Sequence, residues 1–289
     1  MKKINYFSVL TVATLFLGTT FTSCEKDAKD PYEGKTNPST IATANLVGYF
    51  PLDSETASIS IGEGITFSKK TGAATFVTGR RGKAYKGSTA QAYLEYSLAA
   101  TNIFKSMSEY TFAFWVKSPA PTGGAAAVLA LNGGDPNMGN MDFIIESQSN
   151  ADSLALKPYL YNSTTNWKGQ EMWSFNKAYS SDKWVHFVSS YNKTTSTMAL
   201  YANGILIATS IRYADGEVNG VQPKLGALTF GTDMTKFDIG AWAKLAAGTA
   251  TDSWMVYFPG TLDELRIYNK ALTNTEVKAL YDAEVTVID

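Results

Sequence analysis

The 289-residue chain, 45% of it hydrophobic, is long enough to bury one large core or two small ones. A formal net charge of −1 leaves no electrostatic footprint for nucleic acid or for an anionic membrane surface. One cysteine and one histidine rule out a disulfide framework and a His-rich metal site, and any Ser-His-Asp triad would have to use His186.

The chain opens on Lys2 and Lys3, followed by a mostly apolar run from Tyr6 to Phe21 that is short for a membrane span. The run ends in Phe21-Thr22-Ser23-Cys24, which resembles a bacterial lipobox. The resemblance implies a signal peptide over 1–23 and lipidation of Cys24. Glu25-Lys26-Asp27 and Asp30 are similar to the acidic flank of lipoproteins displayed on the outer surface of Bacteroidetes-type bacteria, so an outer-membrane, cell-surface location is expected. Acyl chains at Cys24 would then be the only attachment to the membrane, and the folded part would carry no thiol. Residues 24–43, rich in Lys, Asp, Pro, Ser, Thr and Asn without periodicity, read as a flexible tether. Residues 44–289 read as one domain.

Leu46 to Asp53 opens that domain as a strand. Gly79 to Gly87, ahead of Tyr93 to Tyr96, supplies glycines suited to positive-φ turns. In Tyr110 to Lys117, residues 110, 112, 114 and 116 share one face, expected to be a core between two sheets, while Thr111, Ala113, Trp115 and Lys117 share the other. Two partly apolar faces predict a central strand. Between Ser118 and Asp182 the pattern predicts loops at 123–127 and 132–140, strands at Met141 to Glu146 and Ala155 to Tyr161, and a polar stretch from Asn162 to Gln170. Lys183 to Tyr191 and Met198 to Ala208 read as strands, the second interrupted by the hairpin signal Asn203-Gly204. Two more loops are predicted at Asp215 to Gly226 and Ala241 to Val256. Near the C-terminus, Leu262 to Asn269 alternates as a strand, with Leu265 and Ile267 expected inward and Glu264 and Arg266 outward. Thr273 and Glu276 then form a capping box for a short helix whose apolar face is Val277, Leu280 and Tyr281.

Several of these phrases, in this order, resemble the laminin-G-like, concanavalin A-like lectin/glucanase superfamily. The resemblance rests on Leu46 to Asp53, Gly79 to Tyr96, Tyr110 to Lys117, Lys183 to Tyr191, Met198 to Ala208, Phe237 to Gly240, and the closing run Phe258 to Tyr281. It implies an all-β, two-sheet antiparallel jelly-roll sandwich with one short C-terminal helix, its first and last strands paired. It also implies a structural role for the mid-strand His186, and a structural calcium ion near the joined chain ends with Asp53 and Asp263 as candidate ligands. Hydrogen bonding of those two carboxylates to turns is the competing reading.

Glucanases of this superfamily carry Glu-x-Asp-x-Glu on one strand, and that motif is absent. The nearest mimic, Asp142-Phe143-Ile144-Ile145-Glu146, has an apolar centre. Asp263 and Glu264 are adjacent, and strict alternation would put them on opposite faces. The expected function is therefore non-catalytic capture of a glycan or glycoprotein, with a protein-binding adhesion module as the alternative and a hydrolase behind both. Sugar rings stack on indole while amides hold hydroxyls, which points to Trp167, Trp173, Trp242 and Trp254, with Asn162, Asn166 and Gln170 as polar neighbours. Trp115 and Trp184, within strands, are expected to pack.

Overall fold

The structure, a computed structural model, describes residues 36–147, 149, 153–170, 173–174 and 181–285. The signal segment and Cys24 lie outside the described residues. The strands, in chain order, are β1 (Leu46–Phe50), β2 (Ile61–Gly62), β3 (Ile65–Gly72), β4 (Thr75–Thr78), β5 (Lys83–Lys86), β6 (Ala92–Leu98), β7 (Tyr110–Lys117), β8 (Ala125–Asp135) and β9 (Gly139–Ile145). They continue as β10 (Ala155–Asn162), β11 (Trp167–Gln170), β12 (Trp173–Ser174), β13 (Val185–Asn192), β14 (Thr197–Ala202), β15 (Ile205–Ile211), β16 (Lys236–Ile239), β17 (Met255–Val256) and β18 (Thr261–Tyr268). Two helices join them, α1 (Ala243–Ala246) and α2 (Asn274–Val285).

Among the described residues these strands form two nine-stranded sheets. The first runs β15-β14-β13-β7-β18-β1-β2, with β5 and β4 attached to β18. The second runs β11-β10-β9-β8-β16-β6-β3, with β12 on β10 and β17 on β8. Pairing is antiparallel apart from the two-residue contact of β17 with β8. The two ends of the domain meet as expected, with Phe50 opposite Leu265. Residues 110, 112, 114 and 116 of β7 face the second sheet and join Phe50, Phe143, Phe187, Phe237 and Leu262 in the inter-sheet core. Both β7 flanks are taken, by β13 and β18, so it is a central strand. The Asn203–Gly204 turn has the two positive φ values, 50° and 75°, that its hairpin requires.

Several sequence expectations meet a different structure. The small-residue run at 123–127 belongs largely to strand β8, because alanines let the sheet be covered on both faces. Only Gly82 in the Gly79 to Gly87 run has positive φ; Gly87 is instead required because its Cα passes against the carbonyl of Phe258. The segment expected to be tether carries 3₁₀ turns at Pro38–Thr40 and Thr43–Asn45, and Ile41 is buried against α2.

The closing strand departs from strict alternation. Leu262, Leu265 and Ile267 all reach the inter-sheet core, which period two forbids for 262 and 265. A bulge between Asp263 and Arg266, with Glu264 at φ 51°, resets the phase. Asp263 and Glu264 are therefore both outside the inter-sheet core, and the opposite-face argument does not hold. Glu264 and Arg266 do point away from that core but not into water, since α2 covers them.

Helix α2 begins with the reciprocal capping box: Glu276 N donates to Thr273 Oγ1 at 3.2 Å, and Thr273 N donates to Glu276 Oε2 at 2.8 Å. Its buried face, Val277, Leu280, Ala283 and Glu284, places a carboxylate over the first sheet. Arg266 answers it. The guanidinium donates to Glu264 Oε2 at 2.9 Å, pairs with Glu284 and lies 4.4 Å over the Tyr49 ring. Tyr49 donates to Glu264, and Trp115 Nε1 donates to Glu284 at 2.7 Å. Burial alone would lower the Arg266 pKa, but Glu284 and Glu264 outweigh it and hold it above its ordinary value. His186 packs between Trp115 and Tyr281, with Nε2 3.3 Å from Glu284 Oε2 but neither ring nitrogen in hydrogen-bond geometry. Burial and the Arg266 charge push it down to about 3, so the imidazole is neutral. It is the structural residue expected, held by packing instead of hydrogen bonds.

Arg266→Met should lower the unfolding free energy by about 3–5 kcal/mol in urea titration, because it strands two buried carboxylates. Adding Glu284→Gln should recover part of that loss. A loss below about 1 kcal/mol would show that the network does not hold α2 down.

Candidate functional site

The expected ligand-binding residues do not converge. Trp167 is in the inter-sheet core, and Asn162, 1% exposed, receives Thr229 N at 3.0 Å as a loop brace. Trp242 is buried on the outer face of the second sheet, its Nε1 donating to Ala125 O at 2.9 Å. Trp254 is 41% exposed and meets Trp242 edge-on at 5.2 Å. Asn166 accepts the Tyr161 hydroxyl at 2.7 Å across the β10–β11 turn. Trp173 contributes backbone to β12 opposite Leu156, and its side chain is outside the described part of the molecule. Gln170 opens onto a cavity.

That cavity, of about 310 Å³, is lined by Asp135, Asn137, Met138, Tyr159, Lys168, Gly169 and Gln170. A second, of about 300 Å³, shares Asp135 and Asn137 and continues past Gly133, Gly134 and Asp233 to Lys244 of α1. Together they make a groove over the β8–β9 turn. The turn needs its glycines: Gly133, Gly134 and Gly139 have φ of 80°, 69° and 90°. Asp233 receives Gly134 N at 3.0 Å, and Asn140 spans the turn, donating to Asn132 O and accepting Gly231 N. The groove wall is thereby fixed from below.

Asp135 is the centre of this site. Its Oδ1 accepts Asn137 N and Met138 N at 2.8 and 3.1 Å, and Lys168 donates to Oδ2 at 2.9 Å. Burial would raise its pKa, but those three donors hold it below the ordinary carboxylate range, so it is ionised. Lys244 donates to Asn137 Oδ1 at 3.0 Å from the α1 side. The arrangement offers a fixed carboxylate, an amide, two ammonium groups and the Tyr159 ring along one open trough. Gly133 to Met138 falls within the sequence loop flagged at 132–140, but nothing in the sequence singled out Asp135. A larger cavity of about 550 Å³ at Asn102 and Asn269 is less suited. Asn102 is committed to Ala99 O and Phe104 N, Asn269 accepts from Asn45, and the lining has no aromatic ring.

The acids singled out elsewhere in the sequence lie outside this groove. Asp142 is fully buried beneath the Trp242 region, and Glu146 pairs with Lys157. Asp263 accepts three backbone amides, from Arg80, Arg81 and Glu264, and Asp53 Oδ1 accepts Lys83 N at 2.7 Å. Both carboxylates thus brace the turn at 79–83. Among the described residues no cluster of three or more His, Cys, Asp or Glu side chains gathers around a common point, and no helix is long and apolar enough to cross a membrane.

Residues 88–236, just over half the chain, match the family model described as the concanavalin A-like lectin/glucanases superfamily. The chain belongs to this superfamily. No curated protein sequence matches it significantly. Among solved structures, the botulinum neurotoxin serotype D binding domain superposes with a TM-score of 0.56 at 12% identity, covering 86% of this chain and 53% of that chain. The serotype D ligand-binding domain in complex with N-acetylneuraminic acid gives 0.56 and 12%, covering 85% and 52%. The binding domain of Paraclostridial Mosquitocidal Protein 1 gives 0.54 and 18%, covering 82% and 52%. The chain spans about half the length of these solved chains, and at such identities the likeness is one of fold.

Trp167→Ala should lower stability by about 3–5 kcal/mol, as removal of a core aromatic does, while Trp254→Ala should change it by less than about 1 kcal/mol. Chemical denaturation of the two variants tests this, and the reverse order would return Trp167 to the surface.

Proposed function

We propose that this chain is a non-catalytic carbohydrate-binding protein that captures glycan in the Asp135–Asn137 groove. The observation that carries the reading is the groove itself: an open trough on a fixed turn, with an aromatic floor and charged and amide groups at its walls. Saccharides are held by this combination, ring faces against aromatic carbon and hydroxyls on planar polar groups. Superfamily membership supports the class of ligand, as does the solved relative in complex with N-acetylneuraminic acid, although that ligand is a property of the relative. Glycosidic cleavage calls for a proton-bearing acid beside an ionised one. The groove's own carboxylate, Asp135, is tied to Lys168, which favours binding over turnover.

The groove reading has a direct test in glycan-array binding of Asp135→Asn and Gln170→Ala. Each variant should lose retention at least tenfold with the melting temperature unchanged within a few degrees. Unaltered retention would remove the groove from the account. A blank array for the unmodified protein would instead favour protein adhesion, for which Ile211, Tyr213, Val218 and Val221 offer an exposed apolar surface. Reducing-sugar release by the purified chain would overturn the non-catalytic reading.

We also propose attachment at Cys24 to the outer membrane with the sandwich displayed at the cell surface. This rests on the lipobox-like Phe21 to Cys24 and the acidic residues after it. Cys24→Ala should move the protein from the membrane fraction to the soluble fraction. Unchanged fractionation would discard the anchor.

A further inference from the structure

The outer face of the second sheet carries a row of polar side chains set by strand register. Glu95 of β6 lies opposite Asp238 of β16, Asp238 opposite Ala130 of β8, Ala130 opposite Asp142 of β9, and Asp142 opposite Tyr159 of β10. Their sequence neighbours Phe237, Ile239, Met141 and Phe143 fill the inter-sheet core, so both aspartates face away from it, toward the side where Trp242 and α1 pack. This row is separate from the open groove but adjoins it at Tyr159.

The three acids of the row are not in the same condition. Glu95 is neutralised by Lys236 at 2.9 Å and Lys69 at 3.6 Å. Asp142 is 0% exposed and Asp238 1% exposed, and none of their four carboxylate oxygens has a hydrogen-bond partner. Two buried, unpartnered carboxylates on one sheet face are costly in either ionisation state. Ionised they lack a counter-charge, and protonated they lack acceptors for their protons. The groups acting on Asp142 electrostatically, Asp135 and Asp238, are themselves acids. Lys236 and Lys69, which act on Asp238, are already paired with Glu95.

We propose that Asp142 and Asp238 bind one hard divalent cation, of the calcium class, beneath the cover formed by Trp242 and α1. The residue between them is the reason the site can exist. Ala130 adds only a methyl group, so no long side chain of β8 stands between the two aspartates at that register. The strands of the two aspartates are two inter-strand steps apart, about 10 Å, so side chains leaning in from each side can bring oxygens within about 5 Å, twice a calcium–oxygen distance. A charge of +2 balances the two carboxylates, since the lysines that reach Asp238 are shared with Glu95 and, among the described residues, none is paired with Asp142. Every donor is oxygen, with Tyr159 contributing a hydroxyl at the same level of the row, which selects calcium, magnesium or manganese over zinc or copper. Tyr159 and Asp135 line the open groove and give the ion a way in. A bound ion would fix the wall of that groove, yet the site stands on its own observations whether or not the groove holds sugar.

The test uses the full chain, stripped with chelator and titrated calorimetrically with calcium, magnesium and manganese at neutral pH. One site should appear, with a rise in melting temperature. Asp142→Asn and Asp238→Asn should each weaken binding at least tenfold; both keep the size of the protonated acid and should fold, which circular dichroism checks. Asp53→Asn, at the joined chain ends, should leave the site intact. Terbium in place of calcium gives a second readout, since emission excited through tryptophan should be lost in the Asp142→Asn variant. Binding unchanged in both aspartate variants, or no binding of any of the three cations, would overturn the proposal, and loss in Asp53→Asn alone would move the ion to the chain ends.

Discussion

The buried guanidinium of Arg266, held between Glu264 and Glu284, is the interaction on which the rest of this domain depends. It joins the last strand to the terminal helix, and through Tyr49 and Trp115 it reaches β1 and β7. A sandwich closed by pairing its first and last strands has its chain ends in the middle of a sheet, where fraying would open both faces. Electrostatics in a dry setting resists this, because neither carboxylate can be left without the cation. The neutral imidazole of His186 beside Glu284 fits the same logic. A second cation there would be repelled by Arg266, and burial disfavours it further.

The two sheets use their outer faces differently. The first is sealed by α2 and the 3₁₀ turns before β1, through Ile41, Val188, Tyr201, Leu272 and Leu280. The second is covered only in part, by Trp242, α1 and the segment leading to β17. Its uncovered end, where the β8–β9 turn meets the β10–β11 hairpin, is where polar groups can meet solvent while their backbone stays braced. Asp135 shows the division of labour: the sheet fixes its Cα, the turn amides fix one oxygen, and the other faces Lys168 across the trough. A rigid scaffold with a polar rim suits recognition, since little ordering is left to be lost on binding.

Much of this was legible in the chain. Alternation in β7 identified a central strand, the Thr273–Glu276 box started α2 where it begins, and Asn203-Gly204 turned the β14–β15 hairpin. Each is a local rule, written in residues a few positions apart. The packing of two of the four indoles was not legible, for the opposite reason. Trp167 and Trp242 have no local signature that separates a displayed ring from a packed one, because their fate depends on which distant strand lies beneath them.

By itself, then, the sequence determined the sandwich class, several of its strands and the C-terminal helix, since periodicity, turn chemistry and capping act over short spans. Tertiary structure decided the remainder: the bulge that put Leu262 and Leu265 on one face, the burial of Glu284 against Arg266, and the meeting of Asp135 with Gln170 and Lys168. It also placed Asp238 and Asp142 on either side of Ala130, almost a hundred residues apart in the chain. Such placements follow from strand register across a sheet, and register is set by the summed packing of a whole face, which no short stretch of sequence contains.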